Sequence, residues 1–260
     1  MRENLDSLVS ALAKSMSSLG DTLLEKRKSR QVGGAWKGSQ FKSSADLFAH
    51  DFLTNALVKL EPEIPVISEE SIDLETTLRP QCYWLIDPID GTASYAHGFD
   101  GFVTQVALIA DNVPQLGVIY APATDECFTA IRGKAAFKNG TPIQPENPIS
   151  SSTRVIDNYP EPRGIAKTLI EKLAPSEYLE SGSLSLKMLR VLEGEADLLA
   201  KDVVVRDWDF AAPMAILGEL SGIISQVDGK PFDLSGDWEK NGVLVCRDKE
   251  LYERVCTILE

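Results

Sequence analysis

Cysteine is scarce in this chain. Four residues, Cys82, Cys127, Cys246 and Cys256, are scattered through 260, with no Cys-x-x-Cys pair and no Cys/His cluster, and there are only two histidines. That pattern excludes a zinc site and a disulfide framework, and leaves reduced, mostly buried thiols as the expectation. No apolar run approaches the roughly 18 residues that a membrane-crossing helix needs. The N-terminus, Met1-Arg2-Glu3-Asn4-Leu5-Asp6, carries acids and lacks the apolar core of a secretory signal, so a cytoplasmic location is the default expectation. Basic charge is also short. Lys and Arg total 26 against 39 Asp and Glu, a net charge of −13. Such a balance argues against a nucleic acid polymer or an anionic membrane as partner. A small anionic substrate stays possible, because a bound cation inverts the local field. Internal repeats and low-complexity tracts are absent.

What is present is an ordinary globular composition, 43% hydrophobic and 25% charged, in a length that suits one large domain or two smaller ones. Leu5, Leu8, Leu12, Met16, Leu19 and Leu23 predict an amphipathic helix ending at the Lys26-Arg27-Lys28 run. Gly33-Gly34 breaks it, and residues 29–42 read as a mobile loop or loose hairpin. Ser43-Ser44 before Ala45-Asp46 starts a second helix to about Leu60, with Asp46 in its first turn. His50 reads as a helix-face residue rather than a ligand. A run of short strands fills residues 102–138. The Pro-, Asn- and Ser-rich stretch from Gln144 to Ser152 suggests a boundary between an N-terminal α+β half, 1–147, and a C-terminal α/β half, 148–260.

The chemistry concentrates at Tyr83-Trp84-Leu85-Ile86-Asp87-Pro88-Ile89-Asp90-Gly91-Thr92. A buried-looking strand stops by pointing Asp87 and Asp90 into one volume, where like charges repel. Pro88 favours an extended Asp87, and Gly91 allows a sharp turn. Oxygen ligands of this kind suit Mg²⁺. Val66-Ile67 is a second short strand ending in acids, Ser68-Glu69-Glu70. Downstream, Asp207-Trp208-Asp209-Phe210-Ala211-Ala212-Pro213 opens a helix, with Asp207 as the expected N-cap and Asp209 in the first turn. Ala211 and Ala212 lack bulk and permit close packing.

These three segments together resemble the Mg²⁺-dependent, lithium-sensitive inositol monophosphatase superfamily, over nearly the whole chain. The resemblance implies an α/β fold of α+β layers, a five-layered αβαβα sandwich. It implies two to three Mg²⁺ ions: Glu69, Asp87 and the Ile89 carbonyl for one, Asp87, Asp90 and Asp209 for a second, and Glu69 for a looser third. It further implies that Asp46 and Thr92 activate the attacking water and that the N–H groups of Gly91 and Thr92 hold the phosphate. The partner would be a small phosphorylated metabolite, and the protein a monomer or homodimer.

Within the superfamily, Ser185-Leu186-Lys187 and Leu192-Glu193-Gly194 resemble the 3′(2′),5′-bisphosphate nucleotidase branch. Ser183, Ser185 and Lys187 then become candidate substrate contacts, with Lys187 facing a second phosphate; the plainer alternative is a solvent-facing helix lysine. Tyr95-Ala96-His97-Gly98-Phe99 is instead more similar to the inositol monophosphatase side. The expected activity is phosphomonoester hydrolysis, most simply of 3′-phosphoadenosine 5′-phosphate. The alternatives are an inositol or sugar phosphatase and, as a minority reading, a catalytically silent metabolite-binding protein.

Overall fold

Leucines and Met16 recurring every three or four residues put one apolar stripe on the first helix, α1 (Leu5–Lys28). The computed structural model describes residues 5–29, 33–37, 40–144, 152–158, 160–220 and 222–259, and the expected boundary at 147/148 lies outside them. After α1 come β1 (Gly34–Lys37), β2 (Gln40–Ser43), α2 (Ser44–Leu60), β3 (Val66–Ser68) and β4 (Cys82–Asp90). Then follow α3 (Thr92–His97), β5 (Val103–Ala110), β6 (Val113–Ala121), β7 (Glu126–Ile131), β8 (Ala136–Lys138) and β9 (Thr141–Pro142). The rest of the chain alternates: β10 (Thr153–Asp157), α4 (Gly164–Lys172), β11 (Ser176–Glu180), α5 (Leu184–Glu193), β12 (Leu198–Arg206) and α6 (Asp207–Leu217). It closes with β13 (Ile223–Ser225), β14 (Glu239–Cys246) and α7 (Lys249–Leu259).

Strands β3 to β9 form a seven-stranded sheet in sequence order, and a five-stranded sheet has the order β11-β10-β12-β14-β13. The β1–β2 pair is an antiparallel hairpin. In β4, successive side chains alternate faces. Trp84 and Ile86 meet Leu12, Met16, Leu53 and Leu57 of α1 and α2. Tyr83 and Leu85 share the opposite core with Leu189, Phe210 and Ile216 of α5 and α6 and with Leu199 and Val245 of the second sheet. The far face of that sheet, through Val155, Leu198 and Leu244, packs on Leu169 of α4 and Val255 of α7. The layers are therefore α1/α2, seven strands, α5/α6, five strands, α4/α7, which is the expected αβαβα sandwich. Burial on both faces explains why β4 reads as a continuous apolar run rather than an alternating one.

Close packing of the middle layer needs small residues. A Cβ on Gly117 of β6 would stand 2.6 Å from the carbonyl oxygen of Ala212. Gly117, Ala211 and Ala212 together let α6 lie directly on the sheet.

Several elements differ from expectation. Strand β4 ends in its acids as expected, but its ladder is irregular there. It runs through Asp87 and Pro88 to Asp90, and its pairing with β5 shifts register between Asp87 and Asp90. Pro88 cannot donate to a ladder, so it sits at this irregularity. The sequence pattern marks a strand only from Asp197 to Ala200, whereas β12 extends to Arg206, because its pairing with β14 resumes after a shift between Lys201 and Val204. The short α3 was not expected.

Candidate active site

The acids arrive from four elements. Asp46 is held by the N-cap of α2: Ser43 donates to Asp46 Oδ2 from its N–H at 2.9 Å and from its hydroxyl at 2.7 Å. Thr92 Oγ1 lies 2.9 Å from Asp46 Oδ1 and 2.9 Å from the Ile89 carbonyl oxygen. Burial pushes the Asp46 carboxyl above its ordinary value, against the hydrogen bonds from Ser43 and Thr92. Glu69 follows the end of β3, and its N–H donates to the Ile86 carbonyl of β4 at 3.3 Å. His50, one turn beyond Asp46, places Nδ1 2.8 Å from the Ser68 hydroxyl and so ties α2 to the strand end that carries Glu69.

Asp87 is 1% exposed. Gln105 donates to its Oδ2 at 3.3 Å, while Oδ1 is buried without a hydrogen-bond partner. Burial, and then the charges of Glu69, Asp90 and Asp209, hold its carboxyl well above the usual range. Asp209, at the third position of α6, accepts from the Arg206 N–H at 2.7 Å. It too is pushed well up, by burial and then by Asp90 and Glu69. Asp90, the last residue of β4, reaches the start of α5. Its Oδ2 accepts from the Ser183 hydroxyl at 2.6 Å and the Ser185 N–H at 2.7 Å, and its Oδ1 from the Leu184 N–H at 3.1 Å.

Among the described residues, no three His, Cys, Asp or Glu side chains already stand in coordinating geometry. Glu69 and Asp90 lie near enough to raise the proton affinity of both Asp87 and Asp209, yet Asp90 and Asp209 are turned onto N–H and O–H donors. Asp87 Oδ1 is the exception, a buried oxygen with no hydrogen-bond donor. An unpaired buried carboxylate oxygen costs free energy. With Ile89 as a carbonyl donor, the set consists of hard oxygens, and it fits a divalent cation such as Mg²⁺.

Gly91 takes φ +89°, and a Cβ there would lie 2.8 Å from the Gly101 carbonyl. Only glycine lets this turn close, and it brings the N–H groups of Gly91 and Thr92 to the start of α3 beside the acids.

Two expectations need correction. Asp207 does not cap α6. Arg206 is the N-cap, and the Asp207 carboxylate, wholly buried, instead pairs with Arg79 at 2.5 Å and Lys240 at 3.3 Å. Nor do Ser183, Ser185 and Lys187 present side chains to a substrate. Ser183 and Ser185 are 0% and Lys187 2% exposed. Ser183 binds Asp90, and the Ser185 hydroxyl bridges Gln105 at 2.9 Å and the Asp209 carbonyl at 2.8 Å. Lys187 Nζ contacts Asn158 Oδ1 and the Gly182 carbonyl. Burial, and then the neighbouring Lys201, push the Lys187 ammonium down to about 8. The reason is the layer: α5 is covered by a sheet on each side, so a lysine in it has no solvent face. Sequence reasoning also passed over Gln105, Arg79, Asn158 and the Lys201–Asp157 pair, whose nitrogen and oxygen are 2.5 Å apart. The alternation of β5 around Gln105, a polar residue in an apolar strand, was the available signal.

Comparison with known proteins shows which family this chain belongs to. The model of the inositol monophosphatase family matches residues 1–260. The 3′(2′),5′-bisphosphate nucleotidase CysQ of Aggregatibacter actinomycetemcomitans is 32% identical over 200 residues, 73% of this chain and 73% of the relative. An inositol monophosphatase of Mesembryanthemum crystallinum is 28% identical over 209 residues, 74% and 75% of the two chains. In three dimensions, the extragenic suppressor protein suhB of Bartonella henselae superposes with a TM-score of 0.81 at 23% identity, covering 98% of each chain. The fold and the relatives define a phosphoric monoester hydrolase. More narrowly, the chain belongs to the inositol monophosphatase family.

Proposed function

We propose that the protein is a Mg²⁺-dependent phosphatase whose preferred substrate is a 3′(2′),5′-bisphosphate nucleotide, 3′-phosphoadenosine 5′-phosphate in the simplest case, giving AMP and phosphate. The observation that carries the metal reading is Asp87 Oδ1, buried and unpartnered amid Glu69, Asp90 and Asp209. Glu69, Asp87, the Ile89 carbonyl, Asp90 and Asp209 would hold two to three ions. When bound, these would neutralise charge on the phosphoryl oxygens and make a coordinated water acidic.

The chain's own residues supply the rest. The N–H groups of Gly91 and Thr92 bind phosphate oxygens at a turn that admits no side chain. The Thr92 hydroxyl carries one proton and has acceptors 2.9 Å away in both Asp46 and Ile89. While it donates to Asp46, its lone pairs face the attacking water, orient it, and relay its proton to the Asp46 carboxylate. Burial raises the proton affinity of Asp46, which makes a carboxylate a better base than it would be in water.

The choice of substrate rests on the relatives of the CysQ type. Inositol or sugar monophosphate hydrolysis is the second reading, favoured by the relative from Mesembryanthemum. Steady-state phosphate release from 3′-phosphoadenosine 5′-phosphate and from inositol 1-phosphate, in Mg²⁺ and in EDTA, separates the two. The proposal expects a kcat/KM at least about tenfold higher for the nucleotide, a difference near 1.4 kcal/mol. An equal or reversed ratio would transfer the assignment to inositol phosphate.

A further inference from the structure

We infer that Arg79 is a positioning residue: it locks the segment following Glu69 onto the first residue of α6, so that Glu69 and Asp209 face each other across Asp87. The inference rests on the divalent-metal reading above and concerns residues that do not touch substrate.

The geometry is specific. Arg79 lies in the loop between β3 and β4, ten residues after Glu69, and its side chain is 12% exposed. Its Nη2 pairs with Asp207 Oδ2 at 2.5 Å and donates to the Asp237 carbonyl at 3.2 Å. Its Nε donates to the Gly236 carbonyl at 3.1 Å and its Nη1 to the Tyr83 hydroxyl at 3.1 Å. The guanidinium stacks on Trp238, 3.7 Å from the ring centroid. One planar fork thus reaches the start of β4, the first residue of α6 and the 236–238 loop.

The same three segments are joined a second time. Trp238 Nε1 donates to the Thr77 carbonyl at 3.3 Å, the Trp238 carbonyl accepts from the Asp207 N–H at 3.0 Å, and Trp238 meets Tyr83 edge-on at 6.2 Å. Lys240 completes the shell of Asp207 from β14. Asp207 is two residues before Asp209 on one helical turn, so fixing Asp207 fixes the start of the helix that aims Asp209. Glu69 and Asp209 lie 140 positions apart in the sequence, and their like charges repel. A joint between their two segments holds the pair at coordinating range in advance, as supporting residues do in metal sites generally. Lysine cannot substitute, because it lacks both the fork and the stacking plane.

The test is direct Mn²⁺ binding to the full chain, followed by the loss of the free-ion paramagnetic resonance signal, for wild type, Arg79→Lys and Tyr83→Phe. The expectation is that Arg79→Lys weakens Mn²⁺ binding about tenfold or more while far-UV dichroism is retained. Tyr83→Phe, which removes one hydrogen bond and keeps the ring, should weaken it about fivefold. At saturating metal, KM for substrate should stay near the wild-type value. Wild-type Mn²⁺ affinity in folded Arg79→Lys would overturn the inference. If that variant fails to fold, unchanged affinity in Tyr83→Phe overturns it instead. Absence of Mn²⁺ binding by the wild type would refute the metal reading beneath it, a separate outcome.

Discussion

The Thr92 hydroxyl stands 2.9 Å from Asp46 Oδ1, joining the first turn of α2 to the turn that follows β4 across 46 residues of sequence. In the proposed mechanism this pair takes the proton of the attacking water. Thr92→Ala should lower kcat by about 10² to 10⁴ while leaving Mg²⁺ affinity nearly unchanged. Thr92→Ser, which keeps the hydroxyl, should recover most of the rate. Steady-state kinetics at saturating Mg²⁺ check this; equal losses in both variants would remove the hydroxyl from the mechanism.

Asp90, a proposed metal ligand, also receives the Leu184 and Ser185 N–H groups at the start of α5. Asp90→Asn should therefore cut activity by orders of magnitude and also lower the melting temperature, since an amide offers one acceptor oxygen in place of two. Activity assays with a thermal melt measure both. Near-normal turnover would take Asp90 out of the metal set.

Lys187 makes stability depend on alkaline pH. Its folded value is lowered from 10.5 to about 8, by burial and then by Lys201. Between about pH 8 and 10.5 the unfolded chain binds the proton and the folded chain does not, so stability rises with pH across that window and the full penalty applies below it. The rise should reach about 3 kcal/mol at most. Urea titrations from pH 7 to 10 should reveal the slope in wild type and flatten it in Lys187→Met.

Glu126 acts at the other end of the scale. Against the desolvation of burial, hydrogen bonds from Arg190, Lys138 and Thr124 hold its carboxyl down to about 2. Its contribution is complete above pH 4.5 and is lost as pH falls towards 2. Glu126→Gln should be less stable than wild type at pH 6, with the gap narrowing in acid. A constant gap in acid unfolding curves would show that the cluster does not titrate this way.

The sequence made some of this legible and hid the rest for physical reasons. Asp87, Asp90, Gly91 and Thr92 lie on one short segment, and Ser43 with Asp46 forms a local capping box, so neighbouring residues disclose them. Arg79 and Asp207 are 128 positions apart in a loop and a helix start, and only the fold pairs them. Lys187 was hidden by its layer. With Leu186, Met188 and Leu189 all buried, α5 has hardly any solvent face, and helical periodicity no longer says which side is out. The end of β12 was missed because Val203 and Val204 are half exposed at a break in register, where neither alternation nor a continuous apolar run survives.

The central claim, that the acids around Asp87 form a cation site, is tested most directly by thermal unfolding of wild type and Asp87→Asn in EDTA and in Mg²⁺. The account predicts that Mg²⁺ raises the wild-type melting temperature by several degrees, as any ligand of the folded state does. It also predicts that Asp87→Asn, relieved of like-charge repulsion, melts at or above wild type in EDTA and gains nothing from Mg²⁺. A wild-type melting temperature that does not respond to millimolar Mg²⁺ would contradict it.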